Sequence, residues 1–336
     1  MKKYILLLMS LFVLIPVLVG KGSGESGVKT IRIGHDSQEN AALHQAFLYF
    51  KEKVENKSEL NLKIEIYPAA QLGGAKELFD TVQQGNLEMT APATVLLSPD
   101  IPQFNVLDKF YLFDSVEHAH KALDGPAGQK LLEVLGPLGI HGLGYMEVGM
   151  RSMSNSRNPI DELSALKGLK IRAASNPLQI AAWKSAGAAP IPMAWGEIFT
   201  SLQQGLLDGQ ESAISSMYTQ RFFEAQKYIS LTEHIYTNYL WVVNKNFWES
   251  LTSEQQMALN AIGQDTIAEQ RRLAKKFNAE YLDKIVAEGG LEVNEVSSAF
   301  KAALSEKLNG PIDAEVKNLT GAELYNFVME EVDQVR

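Results

Sequence analysis

The sequence predicts an α/β fold of two lobes with a cleft between them, and three observations carry the prediction. Strand-like and helix-like patterns alternate from Val28 onward, and the same alternation starts afresh near Ile140. A long stretch from Ser253 to about Glu288 has no proline and reads as a helix longer than one lobe is thick.

The first element is a leader. Lys2 and Lys3 precede an apolar run from Ile5 to Val19, broken only by Ser10 and Pro16, in the layout of a secretory signal. The run is shorter than the roughly 20 apolar residues of a membrane-spanning helix, and Gly20, Gly22, Ser23 and Gly24 follow it at once. Residues 1–24 are therefore assigned to a signal peptide, with the cut expected between Gly20 and Gly27; an uncleaved anchor helix is the alternative. Cysteine is absent, so there is neither a disulfide framework nor a thiol for a lipid, which fits free diffusion in a periplasm. The remaining chain of about 310 residues is long enough for two cores. The formal net charge is −9, and it becomes two units more acidic once Lys2 and Lys3 leave, three if Lys21 leaves with residues 1–24. That balance argues against nucleic acid or anionic lipid as the main partner, while leaving room for a local cationic pocket.

The elements of the first lobe follow in order. Val28, Ile31 and Ile33 begin a strand, and Leu62, Ile64 and Ile66 alternate with Lys63 and Glu65 in a second. Between them Leu43, Ala46, Phe47, Phe50 and Val54 share one helical face. A short helix is expected from Ala75 to Gln84, with Leu78, Phe79 and Val82 inward and Gly85 as its stop, before a third strand through Leu87 and Met89. Crossover helices imply a largely parallel sheet, whose ligands bind beyond the carboxyl ends of the strands. Those ends are the loops 34–40, 68–75 and 91–97. In the second region strands are expected at 140–145, 150–154, 169–172 and 191–193, with helices at 177–186 and 195–204. The long helix opens on a cap signal, Thr252 or Ser253 ahead of Glu254 and Gln255. It is expected to brace both lobes.

Motifs for chemistry are scarce. There is no G-x-S-x-G, no H-E-x-x-H and no phosphate-cradling loop, and no cofactor is implied. Gly142 and Gly144 begin a dinucleotide fingerprint, but its third glycine position holds Glu147. His118 and His120, two apart on a helix, point to nearly opposite sides and make no metal pair. Arg172 is the stronger signal: Leu169 and Ile171 face the core, and Arg172 sits at the carboxyl end of the strand, where a guanidinium can grip a carboxylate with two hydrogen bonds. Arg151 stands near a second strand end of the same lobe. For each, an ordinary surface arginine is the competing reading.

The run from Gly149 to Ser212, GMRSMSNSRNPIDELSALKGLKIRAASNPLQIAAWKSAGAAPIPMAWGEIFTSLQQGLLDGQES, resembles the signature region of the substrate-binding subunits of tripartite ATP-independent periplasmic (TRAP) transporters, C4-dicarboxylate-binding type. IRIGHDSQEN, IEIYPAAQLGG, QGNLEMT, SVEHAHKALDG and FFEAQKYISLTEHIYTNYLWVVNKNFW extend the likeness, in the same order, over nearly all of the mature chain. The resemblance implies a two-lobed, type II-like periplasmic binding protein fold with crossing segments, a long bracing helix and an interlobe ligand cleft. On this basis residues 28–149 with 238–277 are assigned to the first lobe, and 150–237 with 278–330 to the second. It also implies capture of a small organic acid, delivery to the membrane permease subunits of an ion-gradient-driven transporter, a monomer, and no enzymatic activity.

By position the resemblance makes Arg172 the carboxylate-gripping arginine and Arg151 its supporting one, and puts Trp195 of PMAWGE against the ligand's carbon skeleton. The expected ligand set is completed by Asp36, Ala93, Ser212 and Glu77. Ser212 replaces a family asparagine, Ala75 stands where an acidic residue is frequent, and Ala93 lacks the polar side chain of sialic-acid binders. These departures predict a pocket poor in hydrogen-bonding side chains, suited to a smaller or less hydroxylated acid than sialic acid. A sensor subunit presenting its ligand to a membrane receptor is the alternative function. A secreted hydrolase or lyase working through Glu77, Glu147 or Glu211 lacks an assembled nucleophile and base.

Overall fold

The computed structural model describes residues 27–336, so the leader expected at 1–24 lies outside the described residues. β1 (Lys29–Gly34) and β2 (Leu62–Tyr67) pair in parallel from Lys29 opposite Leu62 to Gly34 opposite Tyr67. The crossover between them is α1 (Ala42–Glu55), which buries the predicted face, Leu43, Ala46, Phe47, Phe50 and Val54. α2 (Ala75–Gln83) follows and gives way at Gly85, whose φ of +79° lets the chain turn back. β3 (Met89–Thr90) then joins β1 in parallel. α3 (Val116–Asp124) starts where the Ser115 hydroxyl accepts a hydrogen bond from the His118 N–H, and α4 (Pro126–Glu133) opens on a proline, whose missing N–H costs nothing there.

Two strands were expected between 140 and 154, but the chain runs as one, β4 (Ile140–Asn155). Register shifts at Gly142/Gly144, Glu147/Gly149 and Arg151/Met153 bend it without interrupting it. The middle shift uses Gly149 at a φ of +119°, where a Cβ would also come 3.0 Å from the Asn278 amide. Glu147 beside it keeps Asn238 as its register partner on β8, and the Gln270 side chain holds its other backbone edge: the Gln270 carbonyl accepts from the Glu147 N–H at 2.7 Å, and its amide donates to the Glu147 carbonyl at 2.7 Å.

The second region holds β5 (Lys170–Ala173), α5 (Pro177–Ser185), β6 (Ala189–Pro192), α6 (Ile198–Gln203), β7 (Gly209–Ala213) and α7 (Ile214–Thr219). β8 (Tyr228–Asn244), 17 residues long, runs back antiparallel to β4 along most of its length. These two long strands pass through both lobes and fuse them into a nine-stranded sheet, ordered β2-β1-β3-β8-β4-β7-β5-β6, with β9 (Glu292–Glu295) on the outer part of β8. The flanks are parallel and the centre antiparallel, so the two lobes are halves of one bent sheet.

After the short α8 (Lys245–Glu249), the predicted long helix is α9 (Ser253–Gly289). At 37 residues it spans about 55 Å. Its first part packs on α1 and its last part on α7, so it braces both lobes. Thr252 and Gln255 form the expected reciprocal cap. α10 (Ser298–Asn309) packs on α5 of the second lobe, and α11 (Asp313–Thr320) leads to α12 (Ala322–Gln334). α12 departs from the expected lobe division. It buries Val328 and Val332 in the cluster formed with Ala119, Leu123 and Leu131 of α3 and α4, so the chain ends on the first lobe rather than the second.

Candidate functional site

The cleft lies where β4 and β8 cross between the lobes, and its charged wall belongs to the second lobe. On β5, alternation puts Ile171 into the core and turns Arg172 to the opposite face. Arg172 is only 3% exposed. Its Nε and Nη2 both donate to the Met193 carbonyl, at 3.1 and 3.0 Å, and among the described residues it makes no ion pair. Burial, reinforced by the nearby Arg151 charge and opposed by Glu211 and Asp36, pulls its pKa down to about 10. The guanidinium is thus a desolvated cation with no anion of its own. Its carbon lies 5.4 Å from the centre of the Trp195 ring, and that ring meets Phe222 edge-on.

Arg151, on β4, is already ion-paired through its Nε and Nη2, while its Nη1 makes no hydrogen bond with the described residues. Its Nε donates to Glu211 Oε2 at 2.5 Å and its Nη2 to Glu211 Oε1 at 2.7 Å and to the Glu211 carbonyl. His234 from β8 stands 3.2 Å from the same Oε2, with Thr232 Oγ1 2.8 Å from its other ring nitrogen. Burial lowers the His234 pKa against the pull of Glu211, so the ring is neutral and donates from Nε2. Burial also works against ionising Glu211. The Arg151 charge and the hydrogen bonds from His234 and Arg151 outweigh it and hold the carboxyl at about 2.

The first lobe supplies the facing wall. Asp36 follows β1, and Ala93 follows β3 and bridges to Tyr239 of β8, whose hydroxyl lies 3.1 Å from Ser37 Oγ. Val95 and Leu96 add an apolar strip. Burial raises the Asp36 pKa, opposed by its own backbone N–H and by Arg172. The walls enclose about 640 Å³, partly open to solvent, within the usual range for a small-molecule site. A polar recess of about 430 Å³ continues from it past Trp195 and Tyr239 toward Gln38, Gln220 and Gln270.

Of the expected ligand set, Arg172, Arg151, Trp195, Asp36 and Ala93 line this cleft. Ser212 does not: it is fully buried on β7, turned from the cleft by the same alternation that presents Glu211. Glu77 is an exposed residue whose carboxylate accepts the Gly74 N–H at 3.0 Å, so it caps α2 and lies away from the cleft. The loop 68–75 contributes nothing to the lining. Gln179, Ser216, Thr237 and Tyr239 line the cleft without having been anticipated, and they correct the expectation of a wall poor in hydrogen-bonding groups. A polar Gln179 on the otherwise apolar buried face of α5 was the one available hint. Glu211, weighed from the sequence as a catalytic carboxylate, pairs with Arg151, a contact across 60 residues that sequence reading misses. His118 packs inside, its Nε2 2.8 Å from the Val332 carbonyl, whereas His120 is half-buried 2.9 Å from Glu147.

Known proteins share this architecture. The 2,3-diketo-L-gulonate-binding periplasmic protein of Escherichia coli (strain K12) is 34% identical over 304 residues, covering 90% of this chain and 92% of that protein. The crystal structure of a sugar acid binding protein from Advenella mimigardefordensis in complex with galactonate is 31% identical with a TM-score of 0.87, over 92% of this chain and 99% of that one. A TRAP periplasmic solute binding protein of Shewanella oneidensis, with bound succinate, is 25% identical with a TM-score of 0.85, over 90% and 99%. The family profile of the bacterial extracellular solute-binding proteins, family 7, matches residues 33–317, and the chain belongs to that family.

Proposed function

We propose that the protein captures a small organic acid in its interlobe cleft, with the acid's carboxylate on Arg172, and hands it to the permease subunits of a TRAP-type transporter. The observation that carries this is the Arg172 guanidinium, buried, without an ion-pair partner among the described residues and lining the cleft. A cation removed from water is costly without an anion, and a ligand carboxylate supplies the missing one. Arg151 supports the field but is committed to Glu211. Trp195 covers the guanidinium and offers its face to the ligand's carbons. Binding between two walls hinged on β4 and β8 couples capture to closure, so the permease can tell loaded from empty protein. The reading includes export into the periplasm with removal of residues 1–24, which Lys2, Lys3 and the run from Ile5 to Val19 support.

The test is a thermal-shift screen of organic acids followed by calorimetry on Arg172→Ala. Loss of the charge partner should weaken binding by about 2 to 5 kcal/mol, with melting of the ligand-free protein little changed. Unchanged affinity in Arg172→Ala would reject the assignment.

A further inference from the structure

We infer that Asp36 is a specificity residue, which selects a monocarboxylate bearing hydroxyl groups and turns away a dicarboxylate of the same length. The inference rests on the reading that Arg172 holds the ligand's carboxylate. Four side chains with ionisable groups line the cleft: Arg151, Glu211, Arg172 and Asp36. Arg151 and Glu211 neutralise each other as a buried ion pair. Arg172 then balances one ligand carboxylate. What remains is Asp36, which among the described residues makes no hydrogen bond or ion pair with another side chain; its polar contact is with its own backbone N–H.

A second ligand carboxylate would therefore enter a space whose remaining ionic group is negative, in surroundings that screen little. A hydroxyl suits the same space, because it accepts from a guanidinium and donates to a carboxylate at once. An ammonium would satisfy Asp36 but would also face the Arg172 charge. The uncharged lining agrees: Gln179, Ser216 and Thr237 border the cleft, and their side chains make no hydrogen bonds with the described residues. Three free polar groups beside an unpaired carboxylate match a chain of hydroxyls and would be left unpaired by a plain alkyl acid.

The experiment is calorimetry with two matched pairs, galactonate against galactarate and erythronate against meso-tartrate. In each pair a terminal hydroxymethyl is exchanged for a second carboxylate. The wild-type protein should bind at least one monocarboxylate tenfold or more tightly than its dicarboxylate partner. Asp36→Asn, nearly isosteric, and Asp36→Ala should each shrink that ratio at least fivefold. Equal or tighter binding of the dicarboxylates by the wild type overturns the inference, as does a ratio unchanged in both variants. Arg172→Ala on whichever acid binds separates the two readings. If it abolishes binding while the Asp36 variants keep the wild-type ratio, only the role of Asp36 falls. If it binds as the wild type does, the carboxylate assignment falls and Asp36 with it. Failure of all four acids to bind overturns the hydroxy-acid class.

Discussion

The two walls of the cleft are built on opposite plans. The second-lobe wall carries its charges on adjacent strands, β4, β5 and β7, where Arg151 and Glu211 lock each other and the Met193 carbonyl holds Arg172. The first-lobe wall offers one carboxylate, Asp36, just beyond β1, with Ala93 and the apolar Val95 and Leu96 around it. A carboxylate is common to every acid such a cleft could take, so the rigid wall can read it without knowing the rest of the molecule. The rest is read by groups that make few contacts of their own and can change without disturbing the core. Under the proposed reading the second-lobe wall takes the carboxylate, and its Gln179 and Ser216 share with Asp36 the choice among acids.

The comparison breaks first at Glu211. Replacing it with Gln leaves Arg151 as a buried charge without a counter-ion and should cost about 3 to 5 kcal/mol of folding stability in urea titrations, whereas substitutions at Asp36 should cost little. The same pair predicts a pH signature. The Glu211 carboxyl is held at about 2 in the fold, against an ordinary 4.5. Its contribution is therefore complete above about 4.5 and is lost as the pH falls toward 2. The stability difference between wild type and Glu211→Gln should shrink across that window; a difference that stays level would show that the ion pair does not carry it.

A smaller effect is expected at Asn176, which ties the walls together. Its side-chain carbonyl accepts the Leu178 and Gln179 N–H groups at the start of α5, and its amide donates to Asp108 Oδ2 at 2.8 Å and Ser98 Oγ at 2.9 Å. Asn176→Ala should lose about 1 to 2 kcal/mol, the usual worth of such a cap, read from the melting temperature. Ligand affinity should fall as well if the tie also positions Gln179. The smallest effect is at Trp195. Its contact with the Arg172 guanidinium is worth about 0.5 to 1 kcal/mol, so Trp195→Ala should weaken acid binding several-fold and leave unfolding nearly unchanged. A large loss of stability there would make Trp195 a core residue rather than part of the cleft wall.

Much of the fold was legible because its signals are local. The buried face of α1, the cap of α9 and the strand patterns at β1, β2 and β5 each depend on residues within a few positions of one another. Arg172 was legible for the same reason, standing beside a core-facing Ile171 at a strand end. Ser212 and Glu77 misled because a family position identifies a neighbourhood, while the pleat of β7 and the cap of α2 decide where a side chain points. The continuity of β4 was hidden by its bulges, at one of which the Glu147 backbone is held by Gln270, 123 residues away.

The sequence by itself determined the α/β class, the long brace and the presence of a cationic strand end, because periodicity and capping act over a turn or a pleat. Only the tertiary structure decided which arginine is free. Arg151 and Arg172 look alike along the chain. The antiparallel pairing of β4 with β7 brings Glu211, 60 residues distant, onto Arg151 and leaves Arg172 facing the cleft. That choice depends on sheet order and register, which set the distances between charges and which no local pattern encodes.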